Sequence, residues 1–408
     1  MGNLRERALK ALNKPSPYGP DIDLNEFDLE GLSSKGLSSG DILKLAQEPA
    51  SRLGLSTLSL SRASYVQVNE SFIYRTMIGR LKDLGVIVMS TGEALKKLPW
   101  VRRYYWGLVN VDADKYTASV ELYGGGRGYF IYVPPGVKIT YPIYTCLLIT
   151  YTGMAQLVHN IVIVDDGAEL NLVTGCASAH RVGGALHVGV SEFYVGRNAK
   201  LTFAMIHAWG RGIHVRPRTV VRVKEGGTYV SYYVIYSDVK SIQQYPKVVL
   251  DRNSKYYTAS IIVGVGNSIY DNGAEAVLEG EGSSAEIVSR AIANDNSVIN
   301  ARARIRGLAP NTKGHIECLG LLLSPKAKIL AVPELESLNE ESILTHEAAI
   351  GRIAEDEIEY LMSKGFSEEE AKSLILRGFM RVDIPGLPKA TQVMIDNVIK
   401  TLSKKAVT

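Results

Sequence analysis

The stretch Asp165-Asp166-Gly167-Ala168-Glu169-Leu170-Asn171-Leu172-Val173-Thr174-Gly175-Cys176 decides the fold, because the chain repeats its pattern of a polar turn followed by alternating residues. The next copy runs from Gly196 to His207, and six such segments recur at intervals of 27 to 31 residues. Each can be aligned on one anchor residue at its turn: Ala168, Ala199, Gly227, Ser254, Ser283 and Pro310. Counting eight positions forward from the anchors predicts a single column of Cys176, His207, Ile235, Ile262, Ala291 and Cys318.

The two faces of each repeated segment differ in charge. A β-strand directs alternate side chains to opposite faces. The face that contains Cys176 and Cys318 carries no charged residue in any of the six segments, whereas the other face carries several lysines and glutamates. The uncharged face is therefore predicted to point into the interior. Apolar residues on the charged face, such as Tyr232, Val234 and Ile261, indicate that another layer or a partner covers it.

Composition selects among the solenoid types that repeats of this length allow. Tetratricopeptide and ankyrin repeats have helical periodicity in every unit. The runs here are instead rich in valine, isoleucine, tyrosine and threonine, as strands are. Turns such as Gly280-Glu281-Gly282 separate these runs. The pattern predicts a mainly β protein whose core, residues 129–332, is a parallel β-helix with each coil covering the next.

Length, charge and cysteine content limit the functional classes. The chain has 408 residues, and its net formal charge of +4 is too small and too dispersed to favour nucleic acid binding. No apolar run is long enough to cross a membrane and no signal-peptide core is present, so we expect a cytoplasmic protein with no membrane partner. Three cysteines are too few for a disulfide framework, which favours roles as a ligand or nucleophile.

The segments on either side of the core have a different composition. Residues 1–128 are predicted to form an N-terminal domain that is mainly helical, with a mixed α/β tail. Residues 333–408, which begin at Pro333, are predicted to form a C-terminal helical domain.

Two helices are predicted in the C-terminal segment. One runs from Glu355 to Lys364, and a capping box of Ser367 and Glu370 opens a second helix that ends at Gly378. Together they present an apolar stripe, which either packs on the end of the solenoid or binds a partner. The stripe consists of Ile358, Leu361, Met362, Leu374, Ile375 and Phe379.

Cys318, His346 and Glu347 form a candidate ligand set. A thiolate, an imidazole and a carboxylate suit iron or zinc, and a cysteine thiolate can also accept sulfur as a persulfide. Their spacing matches no metal motif such as Cys-x-x-Cys, so a buried structural cysteine is the alternative. Cys176 lies between Gly175 and Ala177, which also fits simple close packing.

His207 and Trp209 form a second candidate pair, within Ile206-His207-Ala208-Trp209-Gly210. A histidine among apolar neighbours is more often a hydrogen-bonded core residue than a ligand. The column that His207 shares with Cys176 favours a functional role. The glycine-rich segment from Gly124 to Gly128 lacks the Gly-Lys-Ser/Thr ending of a phosphate-binding loop and is predicted to be a turn.

An ordered set of motifs closely resembles the SufB/SufD family of iron-sulfur cluster assembly scaffold proteins, over about the last two thirds of the chain. These motifs are Val133-Pro134-Pro135-Gly136-Val137, Tyr141-Pro142-Ile143, Ile161-Val162-Ile163-Val164-Asp165-Asp166-Gly167-Ala168, Gly175-Cys176, His207-Ala208-Trp209, Lys313-Gly314-His315-Ile316-Glu317-Cys318, Pro333-Glu334-Leu335, His346-Glu347-Ala348 and the segment from Tyr360-Leu361-Met362 to Gly378-Phe379.

The resemblance implies a right-handed parallel β-helix, C-terminal helices that bind the ABC-type ATPase SufC, and a transient iron-sulfur cluster built at a SufB–SufD interface. Cys318 matches the SufB-type cysteine, and His346 with Glu347 matches the family's motif, where SufD-like sequences typically have His-Gly. The residues assigned to sulfur acceptance or relay are Cys176, His207 and Trp209.

The same resemblance implies a set of partners. They are SufC, a SufB/SufD paralogue or a second copy of the chain, a sulfur donor and recipient apo iron-sulfur proteins. ATP enters only through SufC, and the sequence does not support a flavin site. Two departures leave the SufB or SufD role open: SufB proteins usually present Arg and Asn where Leu147-Leu148-Ile149-Thr150 stands, and Gln where His207 stands.

The leading hypothesis is therefore a scaffold that is not itself an enzyme. One alternative is a β-helical enzyme that acts on polysaccharides, which would need a groove with paired acidic residues and aromatic platforms. The repeat faces show scattered charges and no such cluster. A purely structural solenoid is the third hypothesis.

Overall fold

The computed structural model of the chain describes residues 4–30, 65–69, 71–74, 79–383 and 389–406, together with positions 44, 47 and 48. Its centre is a parallel β-solenoid of about eight turns, which confirms the predicted fold class. Two sheets form the walls of the solenoid, and helices lie toward the termini.

Within the described residues, sheet 1 has ten strands. In hydrogen-bonded order they are β2 (Ser71–Tyr74), β1 (Tyr65–Val68), β5 (Ile143–Ile149), β7 (Glu169–Ser178), β9 (Lys200–Ala208), β12 (Thr228–Tyr236), β15 (Lys255–Gly264), β17 (Ser284–Ala293), β19 (Lys313–Leu322) and β21 (Ile343–Gly351). All neighbours in this sheet pair in parallel except β1 with β2.

Sheet 2 forms the opposite wall. In chain order its strands are β3 (Ile87–Ser90), β4 (Tyr129–Val133), β6 (Ala155–Val164), β8 (Ala185–Val195), β10 (Ile213–Val215), β11 (Arg218–Val223), β13 (Ser241–Gln244), β14 (Lys247–Leu250), β16 (Ile269–Leu278), β18 (Val298–Gly307) and β20 (Lys328–Ser337). Here the antiparallel pair is β3 with β4.

The described helices flank these walls. They are α1 (Leu4–Ala11), α2 (Gly79–Asp83), α3 (Thr91–Lys97), α4 (Lys115–Tyr123), α5 (Glu355–Ser363), α6 (Glu368–Met380) and α7 (Lys389–Lys405), with short 3-10 helices at Leu24–Glu26 and Pro99–Arg103. None of these helices is both long enough and apolar enough to span a lipid bilayer.

A residue with positive φ in each repeat turn sets where the next strand of sheet 1 begins. Asn253, Gly282 and Asn311 have φ of 52°, 69° and 56°, a region that glycine and asparagine enter most readily. The hydroxyl of the next residue then donates to a carbonyl three positions back in all three turns, for example from Ser283 to Gly280. The turn geometry therefore repeats from coil to coil.

The lumen between the two sheets is the main hydrophobic core. It contains inward-facing residues of both walls, and Cys176 and Cys318 are among them. This confirms that the uncharged face of the repeats points inward. A second cluster lies on the outer face of sheet 1, where α6 and α7 cover Tyr232, Val234 and Ile261. The apolar residues on the charged face are thus explained by another layer of the same chain.

The domain boundary predicted at residue 332 is wrong. The solenoid continues through β20 and β21, and Pro333 lies inside β20, paired with Ala303. An edge strand tolerates proline because one of its sides needs no N–H donor.

The N-terminal segment also joins the solenoid. β1 pairs with β5 and β3 pairs with β4, so its strands extend both sheets. In the C-terminal segment, the capping box of Ser367 and Glu370 is present, but α6 continues past Gly378 to Met380.

Close strand spacing predicts that Gly273→Ala destabilises the solenoid. A Cβ at Gly273 would clash with the carbonyl oxygen of Arg302 on the neighbouring strand. We expect the free energy of unfolding to fall by about 1–3 kcal/mol, the usual effect of overpacking, with a lower midpoint in scanning calorimetry. The control is Gly378→Ala on α6, where a Cβ meets nothing within 4 Å. Equal midpoints for the two variants would contradict the close approach.

Candidate functional site

Cys318 lies on β19 and faces the lumen near the end of the solenoid. Its side chain is almost completely buried, with 2% exposure. Its neighbours in register are Ser289 on β17 and Ala348 on β21. Because β21 is the last strand of sheet 1, one coil separates Cys318 from the end of that sheet.

The predicted column is correct for Cys176 and His207 but not for Cys318. Cys176 pairs with His207, and that row continues through Ile235, Ile262 and Ala291 to Gly320, two positions past Cys318. The alignment anchored the last segment on Pro310, whereas Thr312 occupies the equivalent turn position. Asn311-Thr312, like Asn253-Ser254, was the sequence signal for the correct anchor. A shift of two residues preserves the face, so Cys318 still points inward.

The pKa of the Cys318 thiol is raised to about 11. Burial is the main cause, and the neighbouring Glu317 carboxylate adds to it, while the Arg290 guanidinium acts in the opposite direction. Burial also raises the pKa of Cys146 to about 12 and that of Cys176 well above its usual value. All three cysteines are therefore protonated thiols at neutral pH, and a metal or sulfur reaction must remove the proton.

His346 and Glu347 are exposed residues of β21 that point to opposite faces. His346 pairs with Ile316, which faces the lumen, so the imidazole lies on the same face as Cys318. Glu347 pairs with Glu317 on the outer face. The structure thus brings His346 but not Glu347 to the face of the thiol.

The candidate ligands do not form a complete metal site among the described residues of one chain. In the part of the chain that the structure describes, no group of three or more histidine, cysteine, aspartate or glutamate side chains is placed to hold a metal ion. Cys318 and His346 supply one thiol and one imidazole on a common face at the end of the solenoid. Further ligands would have to come from a second surface that meets β21.

The second candidate group lies deeper in the lumen, where Cys176, His207 and Trp209 come together. All three are buried. The Nδ1 atom of His207 lies 2.8 Å from the Tyr233 hydroxyl, and its Nε2 atom is buried without a hydrogen-bond partner. The His207 and Trp209 ring centroids are 5.8 Å apart. Burial, helped by the nearby His187, lowers the pKa of His207 well below its usual value, so the imidazole is neutral.

The sequence interpretation missed two members of this group. The Cys176 thiol donates to the Met205 sulfur over 3.7 Å, and the His187 and Trp209 ring centroids are 5.0 Å apart. Met205 could have been found, because it lies two residues before His207 on the uncharged face. His187 lies on β8 of the other wall, and the sheet 1 repeats carry no signal for it.

An inner row of residues connects the two groups. Successive strands of sheet 1 place these residues side by side on the lumen face, starting from Cys318. The row continues through Ser289, Ser260, Tyr233 and Met205. Met205 then contacts Cys176, so thiol, hydroxyl and thioether groups line a path between the two cysteines.

The apolar stripe on α5 and α6 is partly exposed. Met362 and Leu374 are exposed, whereas Ile358, Leu361, Ile375 and Phe379 are half-buried. A groove of about 390 Å³ lies between α6 and α7 and is lined by Leu374 and Phe366. Its charged lining residues are the basic Arg377, Lys400 and Lys404 and the acidic Glu369 and Glu370. The helices therefore present an apolar surface with charged residues of both signs around it.

Comparison with known proteins identifies a family for this fold and these motifs. A family model described as "SUF system FeS cluster assembly, SufBD core domain" matches residues 147–379. An iron-sulfur cluster assembly SufBD family protein of Methanothermobacter thermautotrophicus is 42% identical over 97% of this chain and 98% of its own length. A relative of the same description from Archaeoglobus fulgidus is 46% identical over 78% of this chain and 85% of its own. A relative of this family from Pyrococcus horikoshii is 31% identical over 98% of this chain and 92% of its own length.

The raised pKa values predict an order and a pH dependence for cysteine alkylation. Because the thiolate is the nucleophile, the rate at Cys318 should rise about tenfold per pH unit between pH 7.5 and 9.5. Cys318 should react before Cys146 and Cys176, and Glu317→Gln should accelerate its reaction by lowering its pKa. Iodoacetamide kinetics followed by peptide mass spectrometry give each rate. A rate at Cys318 that does not change with pH, or a faster rate at Cys176, would refute this assignment.

Proposed function

Because this chain belongs to the SufBD family of iron-sulfur cluster assembly proteins, we propose that it is a scaffold on which a nascent cluster is built at a subunit interface. The cluster is the cargo, passed on to apo iron-sulfur proteins in the cytoplasm. One observation carries the proposal: Cys318 on β19 and His346 on β21 share the inner face at the end of sheet 1, and the described residues place no third ligand with them. A scaffold role requires no catalytic residue in the chain itself. Membership of this family does not support the alternative of a β-helical enzyme that acts on polysaccharides.

The end of the solenoid is the surface we assign to the second subunit. β21 and β20 are the outermost strands of their sheets, and an unpaired strand edge readily pairs with another chain. Large apolar side chains are exposed on and beside these strands, which is typical of interaction surfaces. They are Leu330, Leu338, Ile343 and Ile350. The partner is a second copy of this chain or a SufB/SufD paralogue, and the mass of the isolated protein in solution distinguishes the two.

The three ligand residues have different roles in this scheme. Cys318 supplies the thiolate, which binds iron most strongly, while His346 and Glu347 supply weaker ligands that exchange readily during transfer. Since Glu347 points away from Cys318 within one chain, we assign it to the cluster of the assembled interface. Glu347 could reach the cluster in two ways. β21 could twist when the partner binds, or Glu347 could bind the cluster that is held by the thiolate of the partner subunit.

Sulfur delivery is assigned to the lumen. We propose that the Cys176 thiolate attacks the outer sulfur of a persulfide on the sulfur donor, whose own thiolate is the leaving group, and that Cys176 then holds this sulfur as a persulfide beside His207 and Trp209. Cys176 is fully buried and protonated, so its thiol must lose a proton before it accepts this sulfur. Direct reaction with an external sulfur donor would need the coil to open first.

The energy source is assigned to a partner ATPase. The exposed part of the apolar stripe on α5 and α6, with Arg377, Lys400 and Lys404 beside it, fits the apolar centre and polar rim of a protein interface. We propose that SufC docks here and that ATP acts only through it. The scheme uses no flavin.

Cys318→Ser should abolish cluster reconstitution. A serine hydroxyl binds iron far more weakly than a thiolate, and the substitution changes the volume of the site little, so thermal unfolding should stay nearly unchanged. The measurement is anaerobic reconstitution of the complex with iron and sulfide, followed by visible charge-transfer absorption and acid-labile sulfide. A normal cluster yield in this variant would remove Cys318 from the site.

The same assay separates the other roles. His346→Ala and Glu347→Ala should each lower cluster yield or stability, and full assembly and transfer in both variants would make the pair structural. Cys176→Ala should reduce the yield when sulfur comes from a persulfide donor but not when free sulfide is supplied. If Cys176→Ala gives the same cluster yield with both sulfur sources, Cys176 does not deliver sulfur.

Leu374→Asp should prevent the ATPase from binding. The charge would lie on the exposed apolar surface of α6 and remain unpaired at the interface, so we expect the dissociation constant to rise by at least about tenfold. Leu9→Asp is the matched control, because Leu9 is a similarly exposed leucine on α1, at 54% against 43% for Leu374. Calorimetric titration with the purified ATPase measures the dissociation constants of both variants. Unchanged affinity for Leu374→Asp would defeat this docking site.

A further inference from the structure

Arg290 contacts both the C-terminal helices and the strand that carries Cys318. It lies on β17, facing outward, with only 12% of its side chain exposed. Its guanidinium forms an ion pair with Glu317 on β19. The same guanidinium carbon lies 5.9 Å from the centroid of the Phe379 ring on α6, within the range of a cation–π contact.

Glu317 is placed to influence the candidate ligands. It directly precedes Cys318 on β19, and its neighbour in register on β21 is Glu347. Two carboxylates side by side on adjacent strands repel each other. The ion pair with Arg290 compensates one of the two charges, so Arg290 helps to hold β19 and β21 together at the position of the thiol.

Phe379 lies on α6, the helix that also carries Leu374 of the surface assigned to the ATPase. It is half-buried and packs at the edge of the cluster in which α6 and α7 cover the outer face of sheet 1. A shift of α6 would therefore move the ring against Arg290. A guanidinium is a rigid plane, so a displacement at the ring side changes its geometry with Glu317 as well.

We propose that Arg290 is a positioning residue that couples docking on α6 to the cluster ligands on β19 and β21. Phe379, Arg290 and Glu317 form an unbroken chain of contacts from the docking helix to the residue beside Cys318. This inference rests on the proposed function, because it takes the ATPase on α6 as the source of the movement.

The chain offers a matched control for Arg290. Arg302 on β18 pairs with Asp271 at 2.6 Å, and its guanidinium carbon lies 4.8 Å from the Tyr18 ring centroid. It thus has the same two kinds of contact, but on the other sheet. Arg302→Gln removes an equivalent ion pair without touching the path to Cys318.

Hydrogen exchange of the peptides that cover β19 and β21 tests the proposal, with mass spectrometric detection. In the free chain, Arg290→Gln should accelerate exchange in these peptides about tenfold relative to β12, as expected for losing a hydrogen-bonded charge pair, and Arg302→Gln should not. In the wild-type complex, the ATP-loaded ATPase should change the exchange of β19. Arg290→Gln should keep the ATPase affinity within about twofold but lose this change, an outcome that a merely structural role would not produce.

Two outcomes overturn the proposal, and they are separate from failure of the proposed function. If the ATPase binds Arg290→Gln and changes β19 exchange as in the wild type, Arg290 does not couple the two sites. If the ATPase fails to bind the wild-type chain, the docking assignment is wrong. Hydrogen exchange in the free chain then tests the role of Arg290 by itself. There, unchanged β19 and β21 exchange in Arg290→Gln, or an equal effect of Arg302→Gln, overturns the role of Arg290.

Discussion

Parallel strand pairing in a fixed register is the constraint on which this structure depends. Neighbouring strands lie about 4.8 Å apart, so residues one coil apart in sequence become neighbours in space. Thiols, hydroxyls and imidazoles that are far apart in the chain therefore form rows on the lumen face, such as the row from Cys318 to Met205. Each coil also buries the next, which leaves the last coil with unpaired strand edges and exposed apolar side chains.

The same constraint divides the candidate chemistry between two environments. Inside the lumen, burial keeps Cys176 as a thiol and His207 as a neutral imidazole. At the open end, Cys318 remains covered by one coil, while His346 and Glu347 are exposed on β21. A site divided in this way is complete only when a second surface meets the end of the solenoid, and this suits a cargo that must later leave.

The periodicity of the sequence predicted the solenoid, the inward face and the pairing of Cys176 with His207. The alternation of charge identifies the inward face of each strand. This assignment remains correct when the alignment is shifted by two residues, because such a shift keeps each side chain on the same face. The position of Cys318 along its strand needed the correct turn anchor, Thr312. Pro333 suggested a domain boundary because proline usually interrupts strands, but β20 is an edge strand. The contact of Arg290 with Phe379 joins residues on different elements, and no local pattern reports it.

In the proposed scaffold the cluster ligands meet at the end of the solenoid, between two chains. The most direct measurement is a crystal structure of the cluster-loaded complex, grown anaerobically, with iron located by its anomalous scattering. We expect iron between Cys318 of one chain and the β21 edge of another, within bonding distance of an imidazole or carboxylate. Iron bound within one chain, in the lumen beside Cys176 or away from β21, would contradict it.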